Sequence, residues 1–388
     1  MAKKKILLLS DDIRVHSGVG TMSRAIVLGT LHKYDWCQMA GAISHPELGK
    51  VSDLSEDLRK QTGVQDAYCR LYPVNGYGDQ NVLRQVLDIE KPDAVMHFTD
   101  PRFWGWLYAM EHELRQTTPI MYYNIWDDLP FPHWNEPYYE SCDALMAISK
   151  QTYNINKHVC QIKPRVESVD LNYVPHGINE KEFYPVDKNS EEYIKIKKDL
   201  LGNNEYDFIA FFNSRNIRRK GTADLIAAYS AFTNKLEDNG KKCALVLHTD
   251  PVDDNGTDLP KVAEVIAPGK QIIFSSAKVP PSTMNLLYNL ADVVCQPSSA
   301  EGFGLSHMEG MMTATPTIAT VVGGLQDQMG FKVDGEELSI KHFTEDVPSN
   351  SAKGLSTEHG EWVYPLWPNQ SLQGSPPTPY IYDSRPRI

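Results

Sequence analysis

Short apolar runs recur along the chain, each closed by polar or glycine-rich residues. Lys5–Ser10 is the first, and Ala94–Phe98, Pro119–Ile125 and Ala144–Ile148 repeat it. Runs of this length, bounded by turn residues, predict buried parallel strands. Between them apolar residues fall at helical spacing, as at Met22, Ala25, Ile26 and Gly29, with further helical stretches near 54–61 and 81–89. Strands that alternate with helices in this way predict a parallel sheet wound on both faces.

The pattern pauses around Val174–Ile178. A charged helix is predicted over 190–201, with Ser190 as its N-cap and Gly202 as its stop. A second series of strands then follows at 207–212, 244–248, 271–274, 293–295 and 316–319. The expected fold class is therefore α/β, with two Rossmann-like doubly wound parallel-sheet domains, 1–180 and 181–388. A length of 388 residues suits two cores better than one. After about residue 327 the helical signal fades, and prolines at 376, 377, 379 and 386 oppose a terminal helix. Trp362, Tyr364, Trp367, Tyr380 and Tyr382 lie in this stretch, so we expect an ordered, irregular extension packed on the second domain.

Charge narrows the partners. A formal net charge of −12 argues against general binding to nucleic acid or to an anionic membrane. Lys3-Lys4-Lys5 is followed only by Ile6–Leu9, too short for a signal-peptide core, and no later apolar run is long enough for an integral membrane segment. The six cysteines are scattered with no C-x-x-C pair, as for buried thiols in a reducing, cytoplasmic setting.

Chemistry concentrates in two segments. In Ser298-Ser299-Ala300-Glu301-Gly302-Phe303-Gly304-Leu305-Ser306-His307-Met308-Glu309, two carboxylates flank a glycine turn that follows a predicted strand and opens a helix. Glycines let backbone N–H groups approach a ligand, and a helix N-terminus favours an anion. Carboxylates suit diols because they accept hydrogen bonds without adding competing donors. The second segment, Asn213–Gly221, carries Arg215, Arg218, Arg219 and Lys220, four cations within six positions of an otherwise acidic chain. An Arg and a Lys converging on a diphosphate would offset its charge. A plain strand-to-helix turn and a solvated basic loop are the competing readings of each segment taken alone.

Together these residues make the chain resemble a GT-B-fold retaining glycosyltransferase of family four, among the glycosyl transferases group 1. Matching features run from the Gly18/Gly20 turn through Ser149-Lys150, Pro175–Asn179, Arg215…Lys220-Gly221 and Glu301–Leu305 to Gly323-Gly324. The resemblance implies two domains facing a cleft, the first on the acceptor side and the second holding a nucleotide sugar. It implies that Arg215 and Lys220 hold the donor diphosphate and that Glu301 contacts the donor sugar. Gly302, Phe303, Gly304 and Leu305 would present backbone N–H groups, and Glu309 would bind the ribose. Gly18 and Gly20 would let the first domain's loop approach the phosphates, and Ser275–Lys278 would border the base. Many relatives carry a histidine where Trp126 stands, so Asp127 is the expected acceptor-side catalytic group, with His97, Asp100 and His133 as further candidates. Relatives also end in a helix crossing back to the first domain, and its absence here raises the expectation of truncation or unusual closure.

The expected activity is transfer of a sugar, of the hexosyltransferase type, from a nucleotide-diphosphate sugar to an unidentified acceptor hydroxyl. No metal and no cofactor beyond that co-substrate are expected. Asp11-Asp12 and Asp127-Asp128 are adjacent pairs rather than a manganese-binding D-x-D. The acids at 250, 253, 254 and 258 lack EF-hand spacing and read as a solvated turn. Ser17-Gly18-Val19-Gly20 lacks the third glycine of a dinucleotide fingerprint. A nucleotide-sugar epimerase on the same fold and a non-catalytic nucleotide-sugar-binding protein are the alternatives.

Overall fold

The computed structural model describes residues 2–129, 131–160, 169–237, 240–343 and 358–367. Two compact units emerge: residues 1–126 with 131–176, and residues 127–130 with 177–388. The sequence boundary drawn at 180 compares with 176/177, and the short 127–130 segment groups with the second unit.

In the first unit, strands β1 (Lys4–Asp11), β2 (Tyr34–Gly41), β3 (Ser52–Asp53), β4 (Cys69–Pro73), β5 (Ala94–Phe98), β6 (Ile120–Asn124), β7 (Ala144–Ala147) and β8 (Asp170–Tyr173) form one sheet. Among the described residues its order is β3-β4-β2-β1-β5-β6-β7-β8, parallel except for the antiparallel β3–β4 pair. Helices α1 (Gly18–Thr30), α2 (Ser55–Thr62), α3 (Gln80–Glu90), α4 (Gly105–Tyr108), α5 (Glu111–Leu114), α6 (Glu136–Glu140) and α7 (Lys150–Cys160) connect the strands. Leu7, Leu8 and Leu9 are all fully buried, as a strand covered on both faces requires. Leu7 lies opposite Cys37 on one side and Val95 on the other, which places β1 at the centre of the sheet.

The second unit begins with α8 (Glu191–Leu201), where Ser190 accepts from the Tyr193 amide and Gly202 ends the helix as predicted. Then follow β9 (Phe208–Asn213), α9 (Thr222–Glu237), β10 (Cys243–His248), α10 (Leu259–Ile266), β11 (Ile272–Ser275), α11 (Pro281–Leu290), β12 (Val293–Gln296), α12 (Leu305–Met312) and β13 (Thr317–Thr320). A small hairpin, β14 (Lys332–Val333) with β15 (Glu336–Glu337), precedes β16 (Val363–Leu366). The sheet order is β11-β10-β9-β12-β13-β16. One apolar layer includes Phe212, Ile226, Leu245 and Leu247, and the other includes Phe211, Val246, Tyr288 and Val294. Alternate residues of β9 and β10 thus feed opposite faces.

The C-terminal expectation needs correcting in part. Residues 363–366 are not irregular: β16 pairs in parallel with β13, setting Thr317 opposite Val363 and Thr320 opposite Leu366. An exposed strand edge leaves backbone N–H and C=O groups unpaired, and β16 covers that edge of β13. Tyr380 and Tyr382 lie outside the described residues, as does most of the 346–388 stretch.

Candidate functional site

The sheet order of the second unit sets the site. The strand order reverses between the parallel neighbours β9 and β12: β10 and β11 continue to one side of β9, and β13 lies beyond β12 on the other. In a parallel sheet such a switch opens a crevice outside the strands' carboxyl ends. The loops that leave β9 and β12, 214–221 and 297–304, are therefore neighbours. Hydrogen bonds join them, with the Ser299 amide donating to Arg219 O at 2.8 Å. Gly221 has a φ of +65°, and a Cβ there would sit 2.7 Å from Pro297 O, so only glycine permits this approach.

On these loops Lys220 Nζ forms an ion pair with Glu301 Oε1. Ser298 Oγ donates to the same carboxylate oxygen at 2.7 Å. Arg219 Nη1 lies 3.4 Å from Glu301 Oε2 and 3.6 Å from Asp127 Oδ2, and it also donates to Ala300 O. Burial opposes the charge on Glu301, but Lys220 and Arg219 overcome it and hold the carboxyl at about 2. Lys220 is shifted down, because burial and the neighbouring Arg219 outweigh the carboxylates of Glu301 and Asp127. Glu301 is thus an anion at neutral pH, braced by two cations and a hydroxyl.

Gly304 caps α12 with a φ of +92°, and no side chain makes a capping hydrogen bond at that helix end. The turn Gly302–Leu305 therefore delivers the chain directly into an uncapped helix N-terminus beside the cluster. About one turn into the helix, Glu309 Oε2 accepts from Tyr288 Oη at 2.6 Å, and Asn213 Nδ2 donates to the same hydroxyl at 2.9 Å. Burial raises the Glu309 carboxyl to about 7 despite the tyrosine bond. The two glutamates of one motif therefore occupy opposite electrostatic settings: one is ion-paired, the other desolvated.

Arg215 is not part of this cluster. Its Nε donates to Asp253 Oδ2 at 2.8 Å, and its side chain is 61% exposed. Asp253 belongs to the acidic turn of the sequence reading, where it also accepts from the Asn255 amide, while Asp258 caps α10. Asp127 does join, through Arg219. Arg219 itself was one of four cations in the sequence and nothing in its spacing singled it out. His307, unremarked in the sequence, is fully buried, with no hydrogen-bond partner on either ring nitrogen among the described residues. Burial lowers it to about 4, so it is neutral.

In the first unit, Gly18 opens α1 and Ser17 caps it, accepting from the Gly20 amide at 2.9 Å. A Cβ on Gly20 would meet Val15 O at 2.7 Å, so the tight turn after β1 itself requires this glycine. His97 is fully buried, bonded to Tyr108 Oη at 2.7 Å and lowered to about 3 by burial, which marks it as a neutral core residue. Asp100 caps the turn after β5 and pairs with Arg102 at 2.5 Å. The Arg102 guanidinium lies 5.5 Å from the ring centre of Trp126. Among the described residues no cluster of His, Cys, Asp and Glu could hold a metal ion, and no helix is long and apolar enough to cross a membrane.

The segment that supplies both loops also carries the sequence similarity. Residues 194–336 match the family Glycosyl transferases group 1. An uncharacterized glycosyltransferase of Methanocaldococcus jannaschii is 27% identical over 226 residues, covering 58% of this chain and 53% of the relative. A D-inositol 3-phosphate glycosyltransferase of Corynebacterium urealyticum is 37% identical over 84 residues, 20% of either chain. The aligned part of this chain thus spans a fifth to about half of these relatives. The catalytic domain of starch synthase IV from Arabidopsis thaliana, solved with ADP and acarbose, superposes with a TM-score of 0.58 at 13% identity. That superposition covers 86% of each chain. The likeness shows the GT-B fold, with parallel sheets of mixed α/β construction.

Proposed function

We propose that this chain is a retaining, family-four glycosyltransferase that moves a hexose from a nucleotide-diphosphate sugar to an acceptor hydroxyl. The observation that carries the reading is the Lys220–Glu301 pair at the β9/β12 crevice, beside Arg219 and the uncapped start of α12. A nucleoside diphosphate leaving group gains negative charge as the glycosidic bond breaks, and preorganised cations and helix N–H groups stabilise it there. Glu301, anionic and fixed by Ser298, would accept hydrogen bonds from donor-sugar hydroxyls. Glu309 would take the ribose, and Asp127 would orient the acceptor or the donor sugar.

Retention by same-face attack, in which the leaving phosphate helps deprotonate the acceptor, needs no second carboxylate as base. Lys220 and Arg219 supply the positive charge that a metal supplies elsewhere, so metal independence belongs to the same proposal. So does a cytoplasmic setting. The matched relative that uses an inositol phosphate makes a phosphorylated polyol one acceptor to include in a screen.

The test is incubation with UDP-, GDP- and ADP-sugars in the presence and absence of an acceptor panel, followed by NMR. Acceptor-dependent release of nucleoside diphosphate with the anomeric configuration kept supports the reading. Conversion of the donor without acceptor identifies an epimerase instead, and nucleotide binding without turnover identifies a binding protein.

A further inference from the structure

We infer that His248 reads the nucleobase of the donor, with Ser275 fixing its ring; the inference rests on the transferase reading above. In the second sheet Phe211, Val246 and Ile273 lie opposite one another on β9, β10 and β11, and they join the apolar layer shared with α11. Two residues further on, in the same register, stand Asn213, His248 and Ser275. Side chains two apart on a strand share a face, so these three continue that layer as a polar row at the strands' carboxyl ends.

Burial changes where the polarity changes. Phe211 and Val246 are buried, whereas Asn213, His248 and Ser275 are each half-buried. The row is fixed from both ends. Tyr288 Oη accepts from Asn213 Nδ2 at 2.9 Å and donates to Glu309 Oε2 at 2.6 Å. At the other end His248 Nδ1 and Ser275 Oγ are 2.9 Å apart, and the Thr249 amide donates to Ser275 O at 3.0 Å. With Nδ1 occupied the ring is held in one orientation, and Nε2 has no hydrogen-bond partner among the described residues. Burial holds the imidazole below its ordinary value, against the pull of Asp250, so the ring is neutral at pH 7. Nε2 is then a donor or an acceptor according to the proton that Nδ1 shares with Ser275.

Length decides what lies along this row. Neighbouring strands are about 4.8 Å apart, so Asn213 to Ser275 spans about 10 Å, close to the length of a nucleoside. Glu309 and Tyr288 mark one end, where the ribose diol is taken in the reading above. The base then extends along the row towards β11 and meets Nε2 of His248. Bases differ in the donors and acceptors on their edges, so a ring nitrogen of set tautomer favours one base over another.

The test is calorimetric titration of the unmodified chain, His248→Ala, His248→Gln and Ser275→Ala with UDP, GDP and ADP. The unmodified chain is expected to prefer one of the three. His248→Ala should weaken that diphosphate about three- to tenfold, the scale of one hydrogen bond, and weaken the other two less, so that the preference narrows. His248→Gln, whose amide offers both a donor and an acceptor, should recover part of the preference, and Ser275→Ala should lose part of it. A change of fold alone lowers all three affinities together and leaves their ratios intact, and that result overturns the inference. Equal binding of the three by the unmodified chain overturns it as well, as does an unaltered preference in His248→Ala. If the unmodified chain binds none of the three, the transferase reading falls, and this inference with it.

Discussion

The amide of Gly324 donates to the carbonyl of Glu301 at 2.8 Å, so the backbone of one loop holds the backbone of the residue that carries the site's central carboxylate. The approach is close. A Cβ on Gly324 would sit 2.2 Å from Gly302 O, and one on Gly323, whose φ is +46°, would sit 2.1 Å from Glu301 O. Gln328 Nε2 adds a bond to Phe303 O at 2.6 Å. The glycine pair thus fixes the Glu301–Gly304 turn from behind.

Gly324→Ala is therefore expected to destabilise the fold by about 1–3 kcal/mol, the usual cost of overpacking a close contact. Nucleoside diphosphate binding should weaken with it. Urea unfolding together with calorimetry checks both; an alanine tolerated in each would show that the loop has room the geometry denies.

Lys220→Ala and Glu301→Ala should each lower kcat by about 10²–10³-fold, as losses of groups that act on developing charge do. Lys220→Ala should also weaken binding of the diphosphate product. Steady-state kinetics with the donor found in the nucleotide-sugar screen decides it, and unchanged turnover in both variants would remove the site assignment.

Glu301 predicts a definite acid dependence. Its folded-state carboxyl lies at about 2, below the ordinary value of 4.5. The stabilisation is therefore fully present above pH 4.5 and is lost as pH falls towards 2. The stability difference between the unmodified chain and Glu301→Gln should accordingly shrink on acidification from pH 5 to 2. Urea titrations at successive pH values measure it, and a gap that widens would reverse the sign and refute the ion-paired anion.

Glu309 predicts the opposite slope. Burial raises it to about 7 from 4.5, so the folded state holds a proton that the unfolded state releases. Stability from this group is full below pH 4.5 and declines as pH rises to 7. Glu309→Gln should thus gain stability relative to the unmodified chain on going from pH 5 to pH 8. A pH-independent difference would mean that the carboxyl is not desolvated.

With Lys220 and Arg219 serving the leaving group, turnover should be insensitive to chelation. Rates measured after exhaustive EDTA dialysis and after adding back Mg²⁺ or Mn²⁺ should agree. A loss restored by either ion would assign charge stabilisation to a metal instead.

The more continuous apolar runs were legible because a parallel strand covered on both faces needs unbroken hydrophobicity; Ile6–Leu9 and Leu245–Leu247 are such runs. β2 was not legible, because Gln38 interrupts it. That side chain is buried for a local reason: Nε2 donates to Asp11 O at 2.7 Å and Oε1 accepts from the Ile13 amide at 3.2 Å. β4 and β8 are short and carry Arg70 or Asp170, so local pattern gives little sign of them. β16 lies in a proline- and serine-rich stretch, and only its pairing with β13 makes it a strand.

The sequence by itself determined the α/β class and the carboxylate–glycine turn at 301–309, because hydrophobic spacing and glycine placement are local properties of the chain. It also determined that the cations cluster at 215–220. Which of those cations meets Glu301 was decided only by tertiary structure. Lys220 and Glu301 are 81 residues apart, and Arg219 and Arg215 differ through Asp253 and Asp127, which other loops supply. Charge pairing depends on distance in space, and the strand order of the sheet, rather than the spacing along the chain, sets that distance.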